Sequence, residues 1–458
     1  MKTDIRIQKS GFTLSSLAFL AAWSAFAVMV RAQEAPTFVR VIVDPNTAGD
    51  CKMVADFDGD GNLDGAVGGS TSERLNWYHF PTWQRTIIAT PNVEFSTDGE
   101  AVDIDHDGDM DIVLGDGPTG VNLVWYENPL LPDGDPFVGS QWTRHAIGSS
   151  GWWVKDVEPH DYDGDGLMDV AIRTETQAVV YYQKAGLGWS RFDIEGGLTG
   201  EGMFSGDVDR DGDFDLILPK LWKENPGTRS TTWPTHIIDQ SMVDEIKAVV
   251  ADLDGDGHNE IVVTCSECTA NAVYYTRSDP SNPYGSWTRR TIVPNLERGH
   301  TLQAGDIDLD GHMDLLIGQM HTSQAREIAM FLNQTGDALQ WDRHVIDNTG
   351  MHNGVLADFG RDGDLDLFGS NWTGNEPIRF YENQTPLTPF CVADQDDGTG
   401  TGTRDGGVTI DDILYYVEIF GLGQLRADVD DGSALGRPDG GVTIDDLLYF
   451  LVRFNAGC

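Results

Sequence analysis

The sequence predicts an all-β protein, a seven-bladed β-propeller, followed by a small α-helical domain with calcium-type loops at the C-terminus. Three observations predict it. The pattern Asp-x-Asp-x-Asp-Gly-x-x-Asp recurs seven times. Successive copies start 47, 58, 46, 45, 54 and 52 residues apart, the length of a four-stranded blade and too short for independent domains. A second duplication, with a period of 34 residues, occupies the end of the chain.

Composition restricts the function classes before any motif is read. Acidic residues outnumber basic ones by 74 to 30, and the formal charge is -44. Such a polyanion is repelled by nucleic acid and by anionic lipid, and its natural counter-charges are cations. The 53 glycines argue for many tight turns rather than long helices.

Residues 1–32 read as an export signal. Lys2, Arg6 and Lys9 precede an apolar run from Phe12 to Val30, and Val30-Arg31-Ala32 suits a small-x-small cleavage site. The mature chain then begins near Gln33, is secreted or held at the cell surface, and carries no membrane span. An uncleaved anchor is the alternative.

Each acidic copy supplies carboxylates at alternating positions with a glycine to turn the chain, which wraps oxygen ligands around a hard cation the size of calcium. The ligand acids are Asp56, Asp58, Asp60 and Asp64 in the first copy and Asp103, Asp105, Asp107 and Asp111 in the second. The third has Asp161, Asp163, Asp165 and Asp169; the fourth has Asp207, Asp209, Asp211 and Asp215. Asp252, Asp254, Asp256 and Glu260 form the fifth, and Asp306, Asp308, Asp310 and Asp314 the sixth. The seventh keeps Asp358, Asp362 and Asp366 but has Gly360 at the second acid, so it is expected to bind its ion most weakly. A lone copy would read equally well as a solvated turn; seven in near-fixed register do not.

Around each loop runs an apolar strand in (Met53-Val54-Ala55), a strand out (Ile112-Val113-Leu114) and an aromatic strand such as Val124-Trp125-Tyr126-Glu127-Asn128. A fourth strand follows Trp83, Trp142, Trp189, Trp233, Trp287 and Trp341. The seventh blade lacks that strand, while Phe38-Val39-Arg40-Val41-Ile42-Val43 stands unpaired at the N-terminus. The N-terminal segment is therefore expected to close the last blade and remove the exposed edges. Over residues 36–386 the chain resembles the FG-GAP or VCBS repeat family. The resemblance implies a propeller with mostly structural calcium in these loops.

Residues 387–390 are a short linker, and 391–458 form the last domain. There Asp394, Asp396, Asp405, Thr409 and Asp412 correspond to Asp428, Asp430, Asp439, Thr443 and Asp446. Each half ends in an amphipathic helix with Ile410, Ile413, Leu414 and Val417, or Ile444, Leu447, Leu448 and Leu451, on its apolar stripe. Asp-Gly-Gly-Val-Thr-Ile-Asp-Asp before each helix resembles the second half of a calcium loop, and the module resembles a dockerin of the variant ending in Gly457-Cys458. Asp405 and Asp439 follow Asp396 and Asp430 at a longer spacing than in the standard dockerin. The resemblance implies docking to a cohesin-like partner or anchoring at the cell surface. A metal-free acidic domain is the alternative.

Five cysteines occur. Cys391 and Cys458 bracket the last domain and are the preferred pair. Cys265-Ser-Glu-Cys268 is a local disulfide or a pair of free thiols in preference to a redox pair or half a metal site, and Cys51 is left odd.

In a propeller the loops entering the innermost strands surround the channel on the face opposite the acidic loops. Six residues before each motif stand Asp50, Thr97, Lys155, Glu201, Ile246, His300 and His352, with Glu245 beside the fifth. Lys220, His321 and Trp372 come from loops on the same face, and Trp152 and Trp153 flank Lys155. Acids, bases and aromatics in one ring suit a carbohydrate site, and His300, His321 and His352 could share a metal. The first functional expectation is a monomeric, non-catalytic binding or adhesion propeller with a carbohydrate or surface-protein ligand. The second is a carbohydrate-active lyase or dehydratase using Lys155, Glu201, His300 and His352 as acid and base. No nucleophile elbow, phosphate loop, zincin helix or dinucleotide fingerprint occurs in the sequence.

Overall fold

The structure is a computed structural model. It describes residues 35–69, 74–90, 94–116, 121–132, 134–279, 282, 284–373, 376–385, 393, 395, 408–422, 424, 427, 429 and 442–456. The export signal, the linker 387–390, the expected Cys391–Cys458 pair, and Asp394, Asp396, Asp405, Asp428, Asp430 and Asp439 lie outside these residues. No helix among the described residues is long and apolar enough to cross a membrane.

Seven antiparallel four-stranded sheets follow one another along the chain. Blade 1 is typical: Cys51–Ala55, Asp64–Gly69, Arg74–His79 and Gln84–Ala89, paired in sequence order. Its second strand is buried throughout, whereas the fourth alternates between exposed and buried. The same gradient explains the unbroken apolar run Ile112-Val113-Leu114 in blade 2, which is covered on both faces. First strands of successive blades touch around a closed ring, the first strand of blade 7 (Asn353–Ala357) meeting that of blade 1.

Closure occurs as the sequence predicts. Strand Phe38–Asp44 pairs antiparallel with Ile378–Asn383, from Phe38↔Asn383 to Asp44↔Ile378. Phe38-Val39-Arg40 also takes the place of the missing seventh Trp-x-Arg. Trp142 lies edge-on to Phe57, and Trp233 is tilted against Tyr162. Trp83 packs beside Phe359. In each case the tryptophan opening a fourth strand covers the residue after the first acid of the preceding blade's loop. Phe38 does the same for blade 7, packing into the cluster that holds Ile307 of blade 6.

A second staple repeats beneath the first, and its acceptors have no label in the sequence. Asn128, Asn333 and Asn383, each ending a third strand, donate Nδ2–H to the carbonyls of Phe57, Leu253 and Ile307 in the loop of the preceding blade, at 2.8, 2.7 and 3.1 Å. Gln183 reaches Ile104 in the same way at 2.9 Å. All four side chains are buried. Asn333→Ala leaves buried carbonyls unpaired and is expected to cost about 2–3 kcal/mol in urea unfolding; a loss below about 0.5 kcal/mol would contradict the staple.

At the C-terminal end, helices Ile410–Gly421 and Ile444–Ala456 pack through Tyr416 and Phe450, whose rings stack at 3.7 Å. These residues are 34 apart, so the two duplicated halves meet at equivalent positions. The expected apolar stripe is corrected here. Ile413 and Leu447 join a core of Tyr416, Ile419, Tyr449 and Phe450, but Ile410, Leu414, Val417, Ile444, Leu448 and Leu451 are exposed. Aromatic residues on the adjoining face bury more area per residue and take the core.

Candidate functional site

The seven acidic loops share one backbone path. The glycine after the third acid has positive φ in every copy: 97° at Gly61, 103° at Gly108, 86° at Gly166, 96° at Gly212, 84° at Gly257, 88° at Gly311 and 93° at Gly363. The residue two before it is also left-handed, including His106, Arg210, Leu309 and Arg361. Four non-glycine residues in this region indicate that the loop's other contacts hold the turn.

The first, second and third acids ring the loop, while the last lies beneath it. Oδ1 of Asp56, Asp105 and Asp252 and Oδ2 of Asp64 are buried without a hydrogen-bond partner. Asp103, Asp105 and Asp107 each bring one carboxylate oxygen within 4.8 Å of the others, as do Asp161, Asp163 and Asp169, and Asp207, Asp209 and Asp215. An all-oxygen set of this kind fits a hard cation of calcium's size.

The last acid has a second role that the spacing does not reveal. Both oxygens of Asp111 accept backbone N–H bonds, from Ile104 at 2.9 Å and Asn128 at 2.8 Å. Asp169, Asp215, Asp314 and Asp366 repeat the pair, which ties the loop to the end of the third strand. Burial pushes Asp64, Asp111 and Asp215 up to about 8, and Asp169, Glu260, Asp314 and Asp366 up to about 7. In the third loop Arg229 pairs with Asp163 and Asp165, supplying a positive charge from the neighbouring blade.

On the opposite face the channel opens into a cavity of about 700 Å³. Asp50, Thr97, Lys155, Glu201 and His352, five of the seven counted positions, line it together with Trp153 and Trp372. His300 lies directly behind, its ring stacked on His352 with centroids 3.7 Å apart. Lys155 Nζ stands 3.3 Å from Glu201 Oε2, and His300 Nε2 stands 3.4 Å from Glu201 Oε1. Trp153 is fixed by its indole N–H, which donates to Thr97 Oγ1 at 2.8 Å.

Burial alone would raise the Glu201 carboxyl, but His300, Lys155 and Lys247 together hold it well below the usual carboxylate range. Burial lowers His300, and burial with the charges of His300, Lys52 and Lys247 lowers His352 further. The mouth therefore presents an ionised carboxylate with a lysine and two imidazoles beside it.

The remaining sequence candidates stand apart. Ile246 is buried in the apolar core and its N–H donates to the Glu201 carbonyl, and Glu245 bridges to Glu201 through the backbone. Lys220 pairs with Asp244 on the rim. Trp152 is exposed and donates to Glu175, and His321 rests against Trp372 at 6.0 Å. Glu94, Glu175, Glu267, Arg298, Met320 and Thr322 also line the cavity and were not singled out by spacing. A signal for Glu267 was present, because it lies inside the Cys265–Cys268 turn, which is a disulfide. Cys51 is buried and free.

Below the mouth, Lys52, Glu100, Asp156, Glu158 and Lys247 sit on the inner strands, and Asp98 immediately precedes one of them. Burial pushes Glu158 up to about 8 despite a 2.6 Å hydrogen bond from Ser205 Oγ. The folded state keeps this proton where the unfolded chain, with an ordinary glutamate near pH 4.3, has lost it. Stability from this group is thus present at low pH and is lost as pH rises through about 8. Glu158→Gln is expected to raise Tm by roughly 2–4 °C at pH 8.5 and less at pH 5.5; an equal shift at both would contradict the buried proton.

Seven glycine-turned acidic loops on a closed ring of four-stranded blades define a repeat propeller. The FG-GAP-like repeat matches residues 56–114, 103–172, 161–218 and 222–317, more than half of the chain, which therefore belongs to this family. No curated protein matches the chain. Among solved structures it is similar to BBS1N, crystallised in complex with ARL6DN, at 11% identity over 76% of this chain and 97% of that one, with a TM-score of 0.48. It is also similar to the Photorhabdus luminescens Tc holotoxin pore, at 14% identity over 70% of this chain, with a TM-score of 0.36; the match spans 16% of that chain.

Proposed function

We propose that this chain is an exported, calcium-loaded binding propeller that holds a neutral carbohydrate at the channel mouth and is docked or anchored through a dockerin-like C-terminal module. One observation carries the ligand reading: residues from separate blades converge on a single cavity of about 700 Å³ with two tryptophans beside ionised groups. Fixed indoles offer flat apolar faces to sugar rings, and the carboxylates accept hydrogen bonds from hydroxyls. Asp50, Glu94, Glu175, Glu201 and Glu267 face only Lys155 and Arg298 among the lining residues, and this excess disfavours a polyanionic ligand. The exposed stripes Ile410–Leu414–Val417 and Ile444–Leu448–Leu451 support a docking role for the last domain, since paired apolar patches on a surface mark interaction sites.

A second reading is a carbohydrate-active lyase or dehydratase. It is favoured by the contact of Lys155, Glu201 and His300, with His352 stacked behind: neutral imidazoles accept a proton, and the ammonium steadies developing negative charge. The test is a panel of soluble polysaccharides offered to the calcium-loaded chain, read by glycan array and by ultraviolet absorbance of unsaturated products. Binding without new absorbance is the expected result. Absorbance that disappears in Lys155→Ala would establish the lyase instead, and silence in both assays would refute a carbohydrate ligand.

A further inference from the structure

Three buried polar groups meet at the channel mouth through His300, which stacks on His352 and faces Glu201. His300 is 1% exposed, His352 4% and Glu201 7%. Nε2 of His300, Nδ1 of His352 and Oε1 of Glu201 make no hydrogen bond, with Asp50 Oδ1 standing 3.6 Å from His352 Nδ1. The other nitrogen of His300 fixes its tautomer. Nδ1 lies 2.6 Å from the His352 carbonyl and 3.2 Å from Asn353 Oδ1, both acceptors, so Nδ1 carries a proton and Nε2 is the ring nitrogen left to meet a ligand. That nitrogen stands 3.4 Å from a carboxylate oxygen of Glu201. A carboxylate and an imidazole nitrogen held this close in a buried setting need a positive charge between them, either a proton or a metal ion.

Glu267 adds a further donor from a different blade. One of its oxygens and a ring nitrogen from each histidine all lie within 4.8 Å of one another. The carboxylate is carried on a turn closed by the Cys265–Cys268 disulfide and by the Cys268 N–H donating to Cys265 Sγ at 3.0 Å. A covalently closed turn between two blade strands has little freedom, which suits a side chain held ready for a ligand.

We propose that His300, His352 and Glu267 bind one divalent first-row transition ion at the channel mouth, with Glu201 as an additional oxygen ligand. Two imidazole nitrogens select against calcium, which prefers oxygen throughout, and match zinc, cobalt or manganese. The bond from His300 Nδ1–H to a backbone carbonyl is the outer contact that metal-bound imidazoles commonly carry. A bound ion would draw the oxygen of the half-buried Glu267 to about 2.0–2.2 Å. The remaining coordination positions face the cavity, where a sugar hydroxyl or carbonyl can reach the ion. This site shares the cavity of the carbohydrate reading, but metal uptake needs no sugar, so either can fail alone.

The test is a Co²⁺ titration of the full chain with millimolar Ca²⁺ present to fill the acidic loops, followed by visible absorbance and equilibrium dialysis. One equivalent with a d–d band is expected. Binding should weaken at least roughly tenfold in His300→Ala, His352→Ala and Glu267→Gln and stay unchanged in the loop variant Asp107→Asn. Should the histidine variants lose their fold, as judged by circular dichroism, Glu267→Gln decides. No stoichiometric band in the folded chain, or undiminished affinity in Glu267→Gln, overturns the site; the facing pair would then be a protonated imidazole on a carboxylate.

Discussion

Removing strand Phe38–Asp44 is expected to abolish cooperative folding of the whole ring, an effect out of proportion to seven residues of which only one is fully buried. The deletion unpairs Ile378–Asn383 along its length, leaving a long apolar edge for other chains to pair with. It also cuts ties to both neighbours. Asp44 receives Tyr78 Oη–H at 3.1 Å and Arg85 at 3.0 Å from blade 1, while Arg40 reaches Asp347 of blade 6 at 2.9 Å. A chain beginning at residue 46 should therefore aggregate on size exclusion or melt without a sharp transition. A truncated monomer with an unchanged melting curve would contradict closure by this strand.

The second large effect is expected on chelation. If each acidic loop binds calcium at a hundredfold excess over its Kd, it contributes about 2.7 kcal/mol. Six complete loops then make metal removal a change of roughly 15 °C or more in Tm. Calcium should restore the curve and equal magnesium should restore less, because the smaller ion demands octahedral geometry and sheds its water reluctantly. The loops should not contribute equally. Asp107→Asn in the second loop should reduce the calcium-dependent rise in Tm, whereas Asp362→Asn in the seventh, where Gly360 replaces an acid, should change it little. Calorimetry with and without a chelator measures both, and coincident curves would refute the calcium reading.

What repeats was legible in the sequence; what does not repeat was not. Blade number, closure and the ring positions Asp50, Thr97, Lys155, Glu201, His300 and His352 follow from counting, because every blade carries the same offset between its acidic loop and its inner strand. Ile246 shares that offset but is apolar, so it became core rather than ligand. Glu94, Glu175, Glu267 and Arg298 come from loops of unequal length with no register, and only three-dimensional closure brings them to the mouth. The asparagine staple was visible as a repeated Tyr-Glu-Asn in two blades, yet its partner is a carbonyl about 70–80 residues earlier in the chain. Backbone carbonyls have no sequence signature. The last acids were read as cation ligands alone because spacing reports side chains and not the amides they accept. In the C-terminal helices the period was right but the face was wrong, since Leu414 and Tyr416 are both apolar and packing decides between them.

The ligand site is tested most directly by isothermal calorimetry of the calcium-loaded chain with the strongest-binding neutral oligosaccharide, for wild type and Trp153→Ala. Loss of a fixed aromatic face should weaken binding by roughly 1 kcal/mol or more, about a fivefold rise in Kd, with the fold intact by circular dichroism. Affinity unchanged in Trp153→Ala and in Glu201→Gln would place the ligand elsewhere and contradict the channel-mouth site.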